Sequence, residues 1–501
     1  MRIKIASRRS DLARLQAQVV GAALQRANQD LVIDFHYRES LGDINQSDPL
    51  WKMPERGVFT EDFREGLVSG EWDMVVHSWK DLPVESTGQT EIIATLPRAD
   101  ARDLLLLRKD VRSRLLSSKE RGQLRILSSS PRRKYNLEAC LPRLLPFQNP
   151  TLEFIPVRGN VPTRFEKLLR GEGDALVMAK AALDRLLSAN GEEFQPTRKA
   201  LRVMLEQVDW MVLPLSANPA AAAQGALAVE IKLGRPDLAK LFSKVHCAET
   251  FQDVSLEREI LSGHGGGCHQ KIGATVFRTE LGRVLSLRGV REDGRVLDEF
   301  RALDSESIPP AKPHAYFPKP DEVASFFSRR DLMISQTPKA KALLIAKADA
   351  LPEHWELEPD TILWAAGLTT WERLARRGLW VHGSFDSLGE GDPGISTIYG
   401  QELKLTKLTH TRGEKGFAAE MIGTYELLEK DEVIDIKSRT HFFWMSGSQF
   451  DAAIRRYPEI RNSVHASGPG HTQRHLRAVL GKEAKIYQFL SIEDWKKEIL
   501  K

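Results

Sequence analysis

Three features that would point to a secreted, membrane or nucleic-acid-binding protein are missing from this 501-residue chain. Its three cysteines, Cys140, Cys247 and Cys268, are too few for a disulfide framework and form no CxxC metal pair. No apolar run reaches the roughly 18 residues that predict a membrane span. The formal net charge of +4 is too small to argue for a nucleic-acid partner. These absences favour a soluble protein in a reducing compartment.

The length and the 42% apolar content allow several buried cores. We expect roughly three or four domains from the length. The chain opens with Met-Arg-Ile-Lys-Ile, which is typical of a strand and not of a signal peptide. This opening and the few cysteines favour a cytoplasmic protein. We also expect a monomer with no nucleic-acid or membrane partner.

Strand patterns alternate with helical patterns along the first half of the chain. Apolar strand patterns occur at 2–6, 31–36, 73–78, 124–128, 152–157 and 174–179. This alternation predicts an α/β protein with two doubly wound, mainly parallel domains, like periplasmic binding proteins. The strand after Gln224-Gly225 is interpreted as the chain returning to the first domain. The first domain is then 1–97 plus 210–234, and the second is 98–209.

The pattern changes after these two domains. Residues 235–305 predict a small α+β domain with three antiparallel strands, and a proline-rich linker follows at 306–338. Residues 339–501 predict a C-terminal α/β domain. It contains two similar pieces, 364–378 and 465–481, each with a strand, a Gly/Thr turn and a helix. A chance likeness of two such turns is the alternative.

Cys268 lies in a run of glycines between a helical pattern and a strand pattern. Glycines leave little bulk around the sulfur, and His264, His269 and Lys271 favour its reactive thiolate form. Such a thiol suits a covalent tether for a large group. The alternative is an idle cysteine in a flexible loop.

Basic residues recur at turns that follow predicted strands. They are Arg8 with Ser10, Arg132 and Arg133 after Ser128–Ser130, and Arg158 with Thr163 and Arg164. A helix N-terminus carries partial positive charge and favours an anion, and an arginine placed there adds a second positive charge. Such a turn suggests a bound anion that contacts both the helix N-terminus and the guanidinium. Each arginine alone could equally extend into solvent or pair with an acid. Three such turns, with Lys80 and Arg185, favour a polycarboxylate ligand.

Asp81 is an acid among these bases, at the end of a predicted strand. A carboxylate near arginine and lysine stays ionised, so Asp81 could stabilise a positive charge or orient an N–H donor. A turn aspartate before Leu82-Pro83 is the alternative.

Residues 1–305 resemble the hydroxymethylbilane synthase family, also called porphobilinogen deaminases. The matching stretches, in the family's order, are 5–10, 77–83, 98–103, 129–133, 157–164, 224–226 and the Gly-Gly-Cys268 loop. The resemblance implies three domains with a catalytic cleft between the first two. It implies a dipyrromethane cofactor attached to Cys268 through a thioether. Porphobilinogen units would add to it with loss of ammonia, and the linear tetrapyrrole would be hydrolysed off.

The resemblance also implies residue roles, none of which involves a metal. Asp81, with Lys80, matches the catalytic position. The cofactor-binding residues would be Cys268, Lys80, Ser129, Ser130, Arg132 and Arg133. The substrate-binding residues would be Arg8, Ser10, Arg158, Arg164 and Arg185. Residues 52–59 correspond to a mobile lid over the cleft. Departures from the family pattern occur at Pro54–Gly57, Leu127, His269–Lys271 and the longer segment Ser216–Ala223, and none removes a catalytic group.

The C-terminal domain resembles uroporphyrinogen-III synthase, through its two Gly/Thr turns and through Phe442–Ser448. That activity would consume the unstable product of the first. A purely structural appendage is the alternative. For the whole chain, the rival interpretation is a non-enzymatic anion-binding module of the periplasmic-binding-protein type, which needs neither Asp81 nor a tethering cysteine.

Overall fold

The computed structural model describes residues 1–39, 61–84, 88–117, 122–147, 150–265, 270–279, 282–304, 306–322, 326–431, 433–481 and 483–501. Cys268 and the predicted lid at 52–59 therefore lie outside the described residues. Among the residues that are described, no helix has the length and apolar character needed to cross a membrane.

The first sheet takes most of its strands from the start of the chain. Its elements are β1 (Arg2–Arg8), α1 (Asp11–Ala27), β2 (Val32–Arg38), α2 (Glu61–Ser69), β3 (Met74–Ser78) and β4 (Thr90–Ala94). A single 3-10 turn, Trp79–Asp81, follows β3 directly. The strands at 2–6, 31–36 and 73–78 are thus confirmed, to within two residues at each end.

The chain then crosses to a second sheet. Its elements are β5 (Asp103–Arg108), α3 (Lys109–Ser117), β6 (Gln123–Leu127), α4 (Pro131–Leu144), β7 (Thr151–Ile155), α5 (Val161–Leu169), β8 (Ala175–Ala179), α6 (Lys180–Leu187), α7 (Gln195–Leu205) and β9 (Val208–Val212). Ser130 caps α4 and Asn160 caps α5, each with a side-chain oxygen that accepts a backbone N–H three residues on. These caps make the two helices begin at the predicted turns.

The strand β10 (Leu227–Lys232) returns to the first sheet, as predicted. The sheet orders are β2-β1-β3-β10-β4 and β7-β6-β8-β5-β9. Four of the five strands in each sheet run in the same direction, which confirms the prediction of mainly parallel sheets, and one strand in each sheet is reversed. The strand β10 runs antiparallel to β3 and β4, and β5 runs antiparallel to β8 and β9. Both strands follow a crossing between the sheets, so the chain enters each sheet from the opposite end.

The helix α8 (Pro236–Phe242) still packs on the first sheet, with Leu238 and Phe242 in its core. The third unit contains α9 (Ala248–Gly263), β11 (Gly273–Thr279), β12 (Gly282–Val290) and β13 (Val296–Ala302). Its strands form an antiparallel sheet in the order β11-β12-β13, which confirms the predicted α+β unit. The Cys268 loop joins α9 to β11.

The C-terminal part contains two sheets, where a single α/β domain was expected. Its elements are β14 (Tyr316–Phe317), β15 (Phe327–Asp331), β16 (Ala342–Ile345), β17 (Ile362–Ala365), α10 (Leu368–Arg376), β18 (Gly383–Ser384), α11 (Ser396–Tyr399), β19 (Leu405–His410), β20 (Glu420–Glu429), β21 (His441–Trp444), α12 (Gly447–Arg456), β22 (Val464–Ser467), α13 (His471–Leu480), β23 (Ile486–Gln488) and α14 (Ile492–Ile499). One sheet has the order β15-β20-β19-β16-β17-β18 and the other has the order β14-β21-β22-β23.

The proline-rich segment 306–338 supplies β14 and β15, although its composition predicted a linker. Each of these strands forms the edge of its sheet, where a proline-rich neighbourhood is tolerated because one side of the strand needs no partner. The exact domain boundaries stay a prediction.

The six-stranded C-terminal sheet adjoins the second sheet edge to edge, with β18 beside β9, and the two sheets share their apolar cores. The odd-numbered leucines of β5 lie in one core with Leu343 and Ile345 of β16. The even-numbered leucines of β5 lie in another core with Ala342 and Leu344. Because alternate residues of a strand face opposite sides, both faces of the two sheets are continuous.

Hydrogen bonds also join the two sheets. The Val212 N–H donates to His382 O at 2.8 Å, between the end of β9 and the residue before β18. The Trp380 indole N–H donates to Trp210 O at 3.1 Å. The edge strand β18 of the C-terminal sheet therefore lies directly beside the edge strand β9 of the second sheet.

Candidate active site

A cleft of about 590 Å³ lies where the first two sheets face each other. Its walls come from the end of β1, the start of α1, the turn after β3, the starts of α5 and α6, and the crossing segment before β10. The predicted site residues that line it are Arg8, Ser10, Lys80, Asp81, Arg133, Arg158, Arg164 and Arg185. The strand ends and helix starts of both sheets thus bring together side chains that are up to 177 positions apart in the sequence.

Lys80 lies partly buried in this cleft and donates to the Gln224 side-chain oxygen at 3.1 Å. Burial lowers the pKa of Lys80 to about 8; Asp81 opposes this shift and Arg133 adds to it. Lys80 is therefore much closer to losing its proton near neutral pH than an ordinary lysine.

Arg164 and Arg185 are also partly buried, and burial shifts their pKa values. Burial lowers the pKa of Arg164 to about 10, helped by Arg133 and opposed by Asp81. Burial likewise lowers the pKa of Arg185 to about 10. Each guanidinium donates to one backbone carbonyl, Arg164 to Gly159 O at 2.7 Å and Arg185 to Gly225 O at 2.6 Å. A guanidinium has five N–H donors, so both retain donors for an anion in the cleft.

Asp81 is exposed at the end of the 3-10 turn, beside Lys80. The turn is held from behind by Arg258 of α9, which donates to Leu82 O at 3.1 Å and to Pro83 O. The third unit thus positions the loop that carries Asp81.

Arg132 and Arg133 share a buried carboxylate that the sequence analysis did not single out. Arg132 Nη2 donates to Asp103 Oδ2 at 2.9 Å, and Arg133 Nη2 donates to Asp103 Oδ1 at 2.6 Å. Asp103 is fully buried, which by itself raises its pKa. The two guanidiniums nevertheless hold the pKa of Asp103 well below its usual range. Arg133 still lines the cleft, whereas Arg132 is directed to Asp103 and to Pro219 O.

Three residues predicted to bind the cofactor are absent from the described lining of the cleft: Ser129, Ser130 and Arg132. The Ser129 hydroxyl pairs with the backbone of Val157, and the Ser130 hydroxyl caps α4. Both hydroxyls therefore form hydrogen bonds within the turn, where the ends of β6 and β7 and the start of α4 lie close together. Their predicted contact with the cofactor stays a prediction.

Gln224 and Gly225 also line the cleft, although no role was predicted for them from the sequence. Gln224 is buried, accepts from Lys80, and donates to Ala101 O at 2.7 Å and to Asp103 Oδ1 at 2.9 Å. Gly225 has a φ of +88°, and a Cβ there would lie 2.4 Å from Ala99 O. Only glycine fits this close crossing of the two connecting segments. The Gln-Gly pair was the available signal in the sequence.

Cys268 lies outside the described residues, but the structure does describe β11, the strand that follows its loop. A Cβ on Gly273, at the start of β11, would lie 2.4 Å from Pro219 O and 3.1 Å from Arg132 Cδ. The end of the loop is therefore packed against the segment that holds Arg132.

A family model described as "Porphobilinogen deaminase, dipyromethane cofactor binding domain" matches residues 3–240. The porphobilinogen deaminase of Lawsonia intracellularis is 33% identical over 310 residues, which cover 61% of this chain and 90% of the relative. The porphobilinogen deaminase of Mycolicibacterium gilvum is 34% identical over 298 residues, covering 60% of this chain and 83% of the relative.

The chain belongs to the porphobilinogen deaminase family. As a porphobilinogen deaminase family member it is a transferase, and dipyrromethane is its cofactor. The residues of the cleft fit that cofactor, because its pyrroles carry carboxylates and the cleft presents arginines and a lysine. Among solved structures, the periplasmic VFT2 domain of BvgS from Bordetella pertussis is 12% identical, with a TM-score of 0.27 over 51% of this chain and 92% of that domain. That similarity is too weak to argue from.

Proposed function

We propose that this protein is a hydroxymethylbilane synthase. It joins four porphobilinogen units head to tail on a dipyrromethane held by Cys268, with loss of ammonia, and then releases the linear tetrapyrrole by hydrolysis. The observation that carries the proposal is the cleft itself, in which Asp81 lies among seven cationic side chains: Arg8, Arg9, Lys80, Arg133, Arg158, Arg164 and Arg185. We further propose that it works as a cytoplasmic monomer on this small-molecule substrate.

The cations of the cleft bind the substrate's carboxylates. Arg8, Arg158, Arg164 and Arg185 come from both sheets, so they can hold acetate and propionate groups on opposite sides of a pyrrole. Arginine suits this task because its planar fork makes two parallel hydrogen bonds to a carboxylate. The bound cofactor supplies the pyrrole carbon to which new units add.

Asp81 and Lys80 act at the reacting position. The Asp81 carboxylate accepts pyrrole N–H groups and stabilises the positive charge that develops when ammonia departs. Lys80, with a pKa of about 8, can give up and regain a proton near neutral pH. The neighbouring pair therefore offers a fixed negative charge and a titratable cation side by side.

The tether is tested by the intact mass of protein made in a host that supplies porphobilinogen. The mass should exceed that of the bare chain by one dipyrromethane, and Cys268→Ser should abolish the increment. Cys247→Ser is the matched control, because Cys247 is already engaged with Thr250 Oγ1 at 3.2 Å in the third unit. A wild-type mass equal to the bare chain would contradict the proposal. The rival anion-binding module, which the deaminase relatives do not favour, predicts that result.

A second candidate activity, uroporphyrinogen-III synthase, is proposed for the C-terminal part. Both predicted Gly/Thr turns follow a strand and open a helix, β17 to α10 and β22 to α13, and they belong to different sheets. The segments that follow β18 and β22 approach each other closely, since a Cβ on Gly389 would lie 3.6 Å from Gly470 Cα. In open α/β sheets, ligands commonly bind beyond the carboxyl ends of the strands, which is where both turns lie.

The second activity is tested by giving the purified protein hydroxymethylbilane and identifying the isomer of the cyclised product. We expect the type III isomer. Formation of the type I isomer alone, as in buffer without protein, would contradict this activity and favour a structural role for the C-terminal part.

A further inference from the structure

We propose that the C-terminal part packs against the side of helix α6 that faces away from the cleft. This contact, called the brace below, positions the wall of the deaminase cleft. Lys180 is the positioning residue in this arrangement. The inference rests on the proposed function of the cleft and adds to it a role for residues 392–399, which lie outside the segment 3–240 that matches the family model.

The helix α6 has one side in the cleft. Ala181, Ala182 and Arg185 line the cleft wall, and Arg185 also donates to Gly225 O at 2.6 Å. A shift of α6 would therefore move a substrate-binding guanidinium together with two wall residues.

The other side of α6 contacts the C-terminal part through Lys180, its first residue. The Lys180 ammonium donates to Gly394 O at 2.6 Å and to Asp184 Oδ2 at 2.5 Å. It also lies 3.4 Å from Asp100 Oδ2, and only 1% of the side chain is exposed. A single buried cation thus joins the start of the second domain, the helix α6 and a C-terminal loop.

Arg102 makes a parallel contact with the same loop. Its guanidinium donates to Asp100 Oδ2 at 2.7 Å and to Pro393 O at 2.7 Å. Gly394 has a φ of +67°, and a Cβ there would lie 3.6 Å from Arg102 Nη2 and 4.0 Å from Lys180 Nζ. The left-handed glycine lets the carbonyls of Pro393 and Gly394 accept from the half-buried Arg102 and the buried Lys180.

Apolar packing extends the contact beyond the charged groups. Ile395 and Ile398 are buried in one core with Leu183, Leu186 and Leu187 of α6. The backbone N–H of Lys180 also donates to Arg102 O at 3.0 Å, so the start of α6 is fixed to the segment that carries Arg102. The position of α6 therefore depends on the C-terminal part at both its polar start and its apolar face.

Losing this brace should weaken substrate binding more than it slows chemistry. A displacement of about 1 Å in a binding group can cost up to about 100-fold in rate or affinity. Lys180 does not line the cleft as described, so its effect must pass through α6 and Arg185.

The experiment compares three full-length variants: Lys180→Met, Lys180→Met/Asp184→Leu and Arg202→Met. The double variant removes the carboxylate that the single one would leave buried without its cation, and so protects the fold. Arg202 is the matched control, because it also donates to the C-terminal part, to Thr397 O at 2.6 Å and Ile398 O at 2.9 Å, but from α7, which contributes nothing to the described lining of the cleft.

We expect both Lys180 variants to raise the KM for porphobilinogen about tenfold with a kcat within about threefold of wild type, and Arg202→Met to leave KM unchanged. Hydrogen exchange should also speed up at 180–187 in the Lys180 variants alone. An unchanged KM in both Lys180 variants, or an equal rise in Arg202→Met, would overturn the proposal. If the wild-type protein made no hydroxymethylbilane, the proposed function would fail, and exchange at 180–187 would still decide on the brace.

Discussion

Lys80 and Lys180 follow strands of the first and second sheets at similar positions, but the charged groups around them differ. Lys80 follows β3 by two positions and Lys180 follows β8 directly. Lys180 is enclosed by Asp100, Asp184 and a carbonyl, whereas Lys80 has Arg132 and Arg133 nearby as well as Asp81 and Asp103. Lys180 meets enough acid to hold two parts of the chain together, whereas we propose that Lys80 contacts an anionic ligand.

The same contrast separates the neighbouring arginines. Arg132 is 4% exposed and is bound to Asp103, while Arg164 lines the cleft among Arg8, Arg133 and Arg158. The first should contribute mainly to stability and the second mainly to binding.

The largest expected effect is on stability. Arg132→Leu leaves the buried Asp103 with Arg133 as its remaining cation, and we expect a loss of about 3 kcal/mol in the free energy of unfolding. Arg164→Leu is the control and should change that free energy by less than about 0.5 kcal/mol. Arg164 lines the cleft beside other arginines, so its removal leaves no buried acid without a cation. Urea unfolding at neutral pH measures both. Equal losses in the two variants would break the distinction.

The next effect is on rate. Asp81→Ala removes the carboxylate at the proposed reacting position, and we expect kcat to fall about 10²–10³-fold while the protein stays folded. Glu39→Gln is the matched control, since Glu39 also lines the cleft but pairs with exposed Arg9 at 3.4 Å. Steady-state kinetics with circular dichroism separates rate from folding. Near-normal turnover by Asp81→Ala would refute the catalytic assignment.

The smallest effect is on pH dependence. The folded protein holds the pKa of Lys80 at about 8, below the ordinary 10.5, so the unfolded chain binds more protons between these values. The contribution of Lys80 to stability therefore rises with pH across that window. Substrate binding should change in the opposite direction, because the cleft loses a cation as pH passes 8.

We expect the KM of the wild-type protein to rise a few-fold between pH 7 and pH 9, and the KM of Lys80→Gln to be nearly flat over the same range. Steady-state assays at constant ionic strength measure both profiles. Parallel profiles in the two proteins would show that another group titrates.

Local sequence determined where most of the deaminase elements and their basic turns lie. Ser130 and Asn160 cap their helices through backbone groups three residues away, so the starts of α4 and α5 follow from local patterns. The positions of Arg8, Asp81 and Arg158 at strand ends follow in the same way.

Tertiary structure alone decided which of the basic residues are paired. Arg132 meets Asp103 from 29 positions away, and Lys180 meets Gly394 from 214 positions away. It also decided the directions of β5 and β10 and the division of the C-terminal part into two sheets. A local pattern sets the conformation of a segment and the face it buries. The partner of a buried charge depends on how separate sheets pack, and no local pattern contains that.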